Sequence, residues 1–106
     1  MGIFDLFQVP DLNRELEDFH STPGALLLDV RSPGEYRLGH IPGSENVPLN
    51  RLELLEEMAE SKEIPLFVYC QSGSRSRQAV SLLSRMGYAN AKNIGGITGY
   101  AGPVAK

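Results

Sequence analysis

Two short apolar runs constrain the fold of this chain more than any other feature. They occupy residues 25–30 and 65–70, and each ends abruptly in polar residues. A continuous apolar run of this length is typical of a strand buried on both faces, as in a parallel sheet covered by helices. Because amphipathic stretches separate the runs, the pattern predicts an α/β protein with a largely parallel sheet.

Helix signals and shorter apolar segments complete the predicted architecture. Pro10 suits a first helical position, and Ser32 with Glu35 forms a capping box that starts a short helix. Pro48 prevents the brief strand around it from continuing as a regular ladder. We expect helices over residues 10–19, 50–61 and 75–86, strands over 46–49 and 93–97, and a partial helix or coil over 98–106.

Composition excludes several kinds of protein. The length of 106 residues suits one domain spanning residues 1–106. One cysteine cannot form an internal disulfide, and two histidines supply too few ligands for a zinc cluster, so we expect neither a metal nor a cofactor. A formal net charge of −3 gives no overall attraction to nucleic acid or to an anionic membrane surface.

The sequence carries no recognisable targeting segment. Residues 1–7 lack the basic region and the long apolar stretch of a signal peptide. No apolar run approaches the roughly 20 residues needed to cross a bilayer. We therefore expect a cytoplasmic protein whose cysteine, Cys70, remains a free thiol.

The loop that joins the second apolar run to the following helix carries the chemistry. Ligands of parallel sheets bind beyond the carboxyl ends of strands, which is where this loop begins. Positive φ at Gly73 would let successive N–H groups converge on an anion, and the helix N-terminus adds partial positive charge. Such surroundings lower a thiol's pKa. The loop residues are Cys70, Gln71, Ser72, Gly73, Ser74, Arg75 and Ser76.

Each loop residue has a predicted role. A lone cysteine at a strand end is more often a small buried apolar residue, but the neighbours of Cys70 favour a thiolate nucleophile. Arg75 offers a planar fork of donors for an oxyanion. The serine hydroxyls can bind the same anion or cap the helix. We predict Cys70 as the catalytic residue and Gln71, Ser72, Gly73, Ser74, Arg75 and Ser76 as substrate-binding residues.

The order and spacing of several motifs resemble the rhodanese family of sulfurtransferases. Any one of them is weak evidence, whereas their joint occurrence along most of the chain is strong evidence. The motifs are Leu28-Asp29-Val30-Arg31, Glu35-Tyr36, Gly39-His40-Ile41-Pro42-Gly43-Ser44, Asn46-Val47-Pro48, Cys70-x-x-Gly73-x-Arg75-Ser76, Gly87-Tyr88 and Gly95-Gly96-Ile97.

This resemblance implies a rhodanese-like domain with a small parallel sheet of about five strands and helices on both faces. It also implies that Cys70 takes sulfur from a donor such as thiosulfate, holds it as a persulfide, and passes it to cyanide or a thiol. The expected partners are therefore small sulfur-containing anions and a thiol or protein acceptor of sulfur. Asp29 and Arg31 leave the end of a buried strand, so we expect them to pair with polar groups of a loop or helix and to brace the site.

Two other functions remain open at this point. Related phosphatases and arsenate reductases place one residue more between Cys and Arg than the four that separate Cys70 from Arg75, so the spacing opposes an oxyanion-processing enzyme. Many relatives carry a basic residue directly after the cysteine, where this chain has the neutral Gln71. That difference motivates the alternative of a persulfide carrier without turnover, or of a redox-sensing module that binds a protein partner.

Overall fold

A four-stranded parallel sheet forms the centre of the computed structural model, which describes residues 10–106. Its strands lie in the order β2-β1-β3-β4. Because all neighbouring strands are parallel, each connection returns from the carboxyl end of one strand to the amino end of the next. The strands are β1 (Leu26–Asp29), β2 (Ser44–Asn46), β3 (Leu66–Cys70) and β4 (Ala91–Gly96).

Within residues 10–106, four α-helices and two 3₁₀ segments precede, connect or follow the strands. The first helix begins after Asp11, whose carboxylate accepts a hydrogen bond from the Arg14 backbone N–H at 3.4 Å. The capping box predicted at Ser32 and Glu35 is present. The helices are α1 (Leu12–His20), α2 (Pro33–Leu38), α3 (Leu55–Met58) and α4 (Ser74–Arg85), and the 3₁₀ segments are Leu49–Leu54 and Ile97–Gly99.

The strands bury apolar side chains on both faces of the sheet. Leu27, Phe67 and Tyr69 point toward α1, where they pack with Leu12 and Leu16. The alternate strand residues, which include Leu28, Val68 and Cys70, point toward the opposite face of the sheet. There they pack with Leu55 of α3, Leu83 of α4 and the first 3₁₀ segment. The expected α/β architecture, with a parallel sheet between helical layers, is confirmed.

The sheet has four strands where the resemblance implied about five. Near the carboxyl terminus, Ala105 forms only an isolated antiparallel bridge with His40 and adds no strand to the sheet. The strand predicted over residues 46–49 is also displaced, because β2 covers Ser44–Asn46. Pro48 lacks the N–H group that a continued ladder needs, so the regular strand ends before it.

The helix predicted over residues 50–61 was wrong in type and in length. The chain forms a 3₁₀ segment over Leu49–Leu54 and then only one α-helical turn in α3. Arg51, with φ −136° and ψ 38°, departs from helical geometry and interrupts the segment. Leu49, Leu52 and Leu55 recur every third residue and pack on the same core, a spacing that suits 3₁₀ geometry.

None of the helices within residues 10–106 combines the length and the apolar character needed to span a membrane. The prediction about residues 1–7 lies outside the described residues.

The fold brings the carboxyl ends of β1, β3 and β4 to one edge of the sheet, because all of these strands run in the same direction. The segments that follow these three strands therefore meet there.

One consequence of this meeting is a close approach between β4 and the loop after β3. A Cβ atom added at Gly96 would lie 2.6 Å from Ser72 Cα and 2.7 Å from the Gln71 carbonyl carbon. The backbone of Gly96 is extended, with φ −123°, so only the lack of space excludes a side chain here. At Gly99, by contrast, an added Cβ would meet no atom within 4 Å.

We therefore predict that Gly96→Ala lowers the free energy of unfolding by about 1–3 kcal/mol, because the loop backbone must move to admit the methyl group. The matched control Gly99→Ala should change it by less than about 0.5 kcal/mol. Urea unfolding followed by circular dichroism measures both values. Equal stability of the two variants would contradict the close packing of the loop on β4.

Candidate active site

Cys70 is the last residue of β3 and faces the helical layer that contains α4. Gly73 precedes α4 with φ +102°, so the positive φ that the sequence predicts at this residue is observed. This conformation turns the chain back over the cysteine, and the Gly73 N–H donates to Cys70 Sγ at 3.0 Å. The Cys70 side chain has no exposed surface.

The hydrogen bonds around Cys70 favour its ionised form. Burial alone raises the pKa of the thiol, because a charged sulfur loses its water. The Ser76 hydroxyl and the backbone N–H groups of Ser76, Gly73 and Ser72 act in the opposite direction, and the net result is a pKa below the usual range of a cysteine. The side chain of Ser76 lies with its oxygen 3.4 Å from Cys70 Sγ.

Ser76 is fully buried and connects the loop to β4. Its hydroxyl oxygen lies 2.6 Å from Asn93 Oδ1 and 3.0 Å from the Gly73 carbonyl oxygen. The Asn93 amide nitrogen in turn donates to that carbonyl at 3.3 Å. Asn93 therefore contacts both the turn at Gly73 and the serine next to the thiol.

Arg75 forms a two-pronged ion pair with Glu35 of α2. Its terminal nitrogens donate to the two carboxylate oxygens at 2.7 and 2.9 Å, and each side chain is about one-third exposed. The Arg75 guanidinium, together with donors from Ser32, lowers the pKa of Glu35 to about 2. Glu35 thus both caps α2 and holds Arg75 beside the loop.

Asp29 and Arg31 form a buried ion pair at the end of β1. Arg31 donates from its terminal nitrogen to the Asp29 carboxylate at 2.7 Å and to the Gly39 carbonyl at 2.8 Å. Another Arg31 nitrogen donates to Gln71 Oε1 at 3.3 Å. The Asn46 amide donates to the carbonyl oxygens of Asp29 and Arg31, both at 3.0 Å. The pair therefore links β1, β2 and the Cys70 loop.

The predicted site residues all lie on this edge of the sheet, but they differ in exposure. Gly73 and Ser76 are buried beneath the loop, whereas Gln71, Ser72 and Ser74 are exposed. A cavity of about 200 Å³ lies beside Arg75 and is lined by Val30, Ser32, Pro48, Leu49, Asn50 and Arg75. Among residues 10–106, no group of three or more His, Cys, Asp and Glu side chains is arranged to hold a metal ion.

Sequence reasoning missed two residues of this arrangement. It interpreted Glu35 as a helix cap and as part of the Glu35-Tyr36 motif, without a role at the site, and it gave Asn93 no role. The one available signal at position 93 was that asparagine is unfavourable in a strand and so needs a reason to be there. Glu35 gave no comparable signal, because its capping role already explained its presence.

Comparisons with known proteins identify the family of this chain. A family model described as "Rhodanese-like domain" matches residues 12–102. The chain is 38% identical over 80 residues to "Thiosulfate sulfurtransferase PspE" of Escherichia coli, and the aligned region covers 74% of this chain and 77% of that protein. It is 34% identical over 111 residues to "Putative thiosulfate sulfurtransferase, mitochondrial" of Schizosaccharomyces pombe, with 93% and 74% covered.

A solved structure entitled "rhodanese with anions from E. coli" has the same fold. It superimposes with a TM-score of 0.72 at 36% sequence identity, over 77% of this chain and 98% of that one. The family model and these relatives together span most of residues 10–106. The chain therefore belongs to the family of rhodanese-like domains and is a sulfurtransferase of the rhodanese type.

Proposed function

We propose that Cys70 carries a sulfur atom between two small molecules in two nucleophilic steps. In the first step, the thiolate attacks the outer sulfur of thiosulfate, and the sulfur–sulfur bond of the donor breaks. The electron pair of that bond leaves with sulfite, and Cys70 becomes a persulfide. In the second step, cyanide or a thiolate attacks the outer sulfur, leaves as thiocyanate or a new persulfide, and regenerates the Cys70 thiolate.

The observation that carries this proposal is the set of donors aimed at Cys70 Sγ. The Gly73 N–H and the Ser76 hydroxyl lie within hydrogen-bond distance of the sulfur. Donors in these positions stabilise the attacking thiolate and also the thiolate that departs in the second step. Because the chain has a single cysteine, the persulfide has no internal thiol to resolve it and must pass its sulfur to another molecule.

The donor's negative end would bind at the exposed side of the loop. Arg75 has five N–H donors, and the ion pair with Glu35 uses two of them, so three remain for an anion. The exposed Gln71, Ser72 and Ser74 supply further polar groups, and the cavity beside Arg75 has room for a small molecule. Since Cys70 itself is covered, side chains over the loop must move when the donor enters.

The same scheme accommodates a protein thiol as the acceptor. The sequence also suggested an alternative, a persulfide carrier or a redox sensor without turnover. Such a protein would not transfer sulfur repeatedly to a small acceptor such as cyanide, whereas the enzyme would. Relatives named as thiosulfate sulfurtransferases favour the enzyme over that alternative. Steady-state release of thiocyanate over many turnovers supports the enzyme, whereas one sulfur transferred per chain supports the carrier.

The first prediction of this two-step scheme concerns Cys70 itself. Cys70→Ser should abolish thiocyanate formation from thiosulfate and cyanide, because a serine hydroxyl forms no persulfide. The wild-type protein treated with thiosulfate should gain the mass of one sulfur atom, and dithiothreitol should remove it. Intact-protein mass spectrometry measures this adduct. Activity in the serine variant near that of the wild type would refute the role of Cys70.

A second prediction follows from the lowered pKa of Cys70. Alkylation by iodoacetamide should follow the thiolate, so that its rate rises with pH through a midpoint below the usual range of cysteine. Ser76→Ala removes a donor to the thiolate and should move this midpoint upward, which slows alkylation at neutral pH. The exposed Ser74 offers a matched control, because Ser74→Ala leaves the contacts of the sulfur in place.

A third prediction concerns donor binding. Arg75→Ala should raise the KM for thiosulfate by roughly tenfold or more, because a charge-assisted hydrogen bond contributes about 1.5–3 kcal/mol. Arg85→Ala, which removes the same charge from the other end of α4, is the control and should leave KM unchanged. Equal increases in both variants would attribute the effect to overall charge and contradict an anion site at Arg75.

A further inference from the structure

The Ser76 hydroxyl has one proton and several acceptors within reach. Asn93 Oδ1 is the nearest at 2.6 Å, followed by the carbonyl oxygen of Gly73 at 3.0 Å, Cys70 Sγ at 3.4 Å and the carbonyl oxygen of Gly95 at 3.5 Å. A hydroxyl donates one full hydrogen bond at a time. The acceptor that receives this proton therefore determines whether Ser76 stabilises a thiol or a thiolate.

We propose that Asn93 is a positioning residue that competes with the sulfur of Cys70 for the Ser76 proton, and thereby sets how readily Cys70 ionises. The inference deepens the proposed function, since it concerns the same thiolate. It rests on the contacts between Cys70 of β3, the buried Ser76 of α4 and the partly buried Asn93 of β4. No substrate enters into it.

The orientation of the Asn93 carboxamide follows from its neighbours. Its Oδ1 accepts a hydrogen bond from the Gly95 N–H at 3.0 Å, and its amide nitrogen donates to the Gly73 carbonyl at 3.3 Å. Exchanging the oxygen and the nitrogen would place two donors together and two acceptors together. The oxygen therefore faces Ser76, and only the serine can donate in that contact.

Two arrangements of the proton satisfy this geometry. With a neutral thiol, Ser76 donates to Asn93 and its oxygen accepts a hydrogen bond from the Cys70 S–H. With a thiolate, the hydroxyl rotates and donates to Sγ, while Asn93 Oδ1 keeps the hydrogen bond from Gly95. Ionisation of Cys70 thus breaks the contact between Ser76 and Asn93, so a stronger contact there opposes ionisation.

The charged groups around the loop leave this competition intact. Arg75 attracts the thiolate, but the Arg75 side chain is paired with Glu35. The buried Arg31 is likewise paired with Asp29. From β4, Lys92 forms its ion pair with Glu15, and the neutral Asn93 is the residue that reaches Ser76. Of the two remaining acceptors, the carbonyl of Gly73 already receives the Arg77 N–H at 3.1 Å, and the carbonyl of Gly95 lies farthest from the hydroxyl, at 3.5 Å.

Two substitutions at Asn93 should move the ionisation of Cys70 in opposite directions. Asn93→Ala removes the competing acceptor and should increase the thiolate-to-thiol ratio at a given pH about three- to tenfold, the effect of one ordinary hydrogen bond. Asn93→Asp keeps the shape but binds the Ser76 proton more strongly and adds a negative charge, so it should decrease the ratio. Ultraviolet absorbance of the thiolate, followed through a pH titration, measures both without any sulfur transfer.

The decisive control repeats each substitution in a Ser76→Ala background. If Asn93 acts through the serine hydroxyl, Asn93→Ala should no longer shift the titration there. The proposal is overturned if Asn93→Ala leaves the wild-type titration unchanged, shifts it upward, or shifts it equally in both backgrounds. If Asn93→Ala fails to fold, Asn93→Asp decides the matter, because equal shifts with and without Ser76 would exclude a route through the hydroxyl.

This titration separates the inference from the proposed function. If Asn93→Ala shifts the titration of Cys70 as expected in a protein that transfers no sulfur, the proton competition is upheld and the enzymatic scheme is rejected. If the protein transfers sulfur but Asn93→Ala leaves the titration of Cys70 unchanged, the enzymatic scheme is upheld and the proton competition is rejected.

Discussion

Moving a thiolate out of water costs free energy, and the site around Cys70 is organised to offset that cost with hydrogen bonds. The sulfur is fully covered, which by itself favours the neutral thiol. The donors that reverse this preference come from the turn at Gly73 and from the first residues of α4. Asn93 contacts both sources of these donors, since its amide donates to the Gly73 carbonyl and its oxygen lies 2.6 Å from the Ser76 hydroxyl. Gly96 is part of this arrangement, since its missing side chain allows the turn to lie against β4.

The two ion pairs stabilise the surroundings of the loop rather than the sulfur directly. Asp29 and Arg31 are both buried, and removal of one partner from such a pair typically costs about 3–5 kcal/mol. Glu35 and Arg75 are partly exposed, so solvent weakens their attraction. The buried pair therefore contributes more to holding β1 against the loop, while the exposed pair leaves Arg75 able to turn toward an anion.

The parts of the fold that depend on local patterns could be predicted from sequence. Strands β1 and β3, the turn at Gly73 and the position of Cys70 follow from apolar runs and from one glycine. The leucines of the segment 49–55 misled the prediction, because an amphipathic pattern does not by itself distinguish an α-helix from a 3₁₀ turn.

Contacts between distant residues were beyond the reach of those patterns. Glu35 and Arg75 are separated by 40 residues, and Ser76 and Asn93 by 17. Only the topology of the sheet, which aligns the ends of β1, β3 and β4, brings such residues together. A single sequence contains the members of these pairs without indicating which of them meet. The position of the loop and its turn at Gly73 were therefore predictable, whereas the distant residues that contact the loop were not.

In the proposed transfer, the complete burial of Cys70 would also determine which sulfur atom of the persulfide an acceptor can reach. Attack on the outer sulfur transfers that atom and restores the thiolate. Attack on the inner sulfur would instead join the acceptor to the protein as a mixed disulfide and expel hydrosulfide. Because Gly73 and Ser76 enclose the inner sulfur, the second route is sterically hindered. In the proposed transfer, the same burial that makes the thiol harder to ionise would direct an acceptor to the outer sulfur.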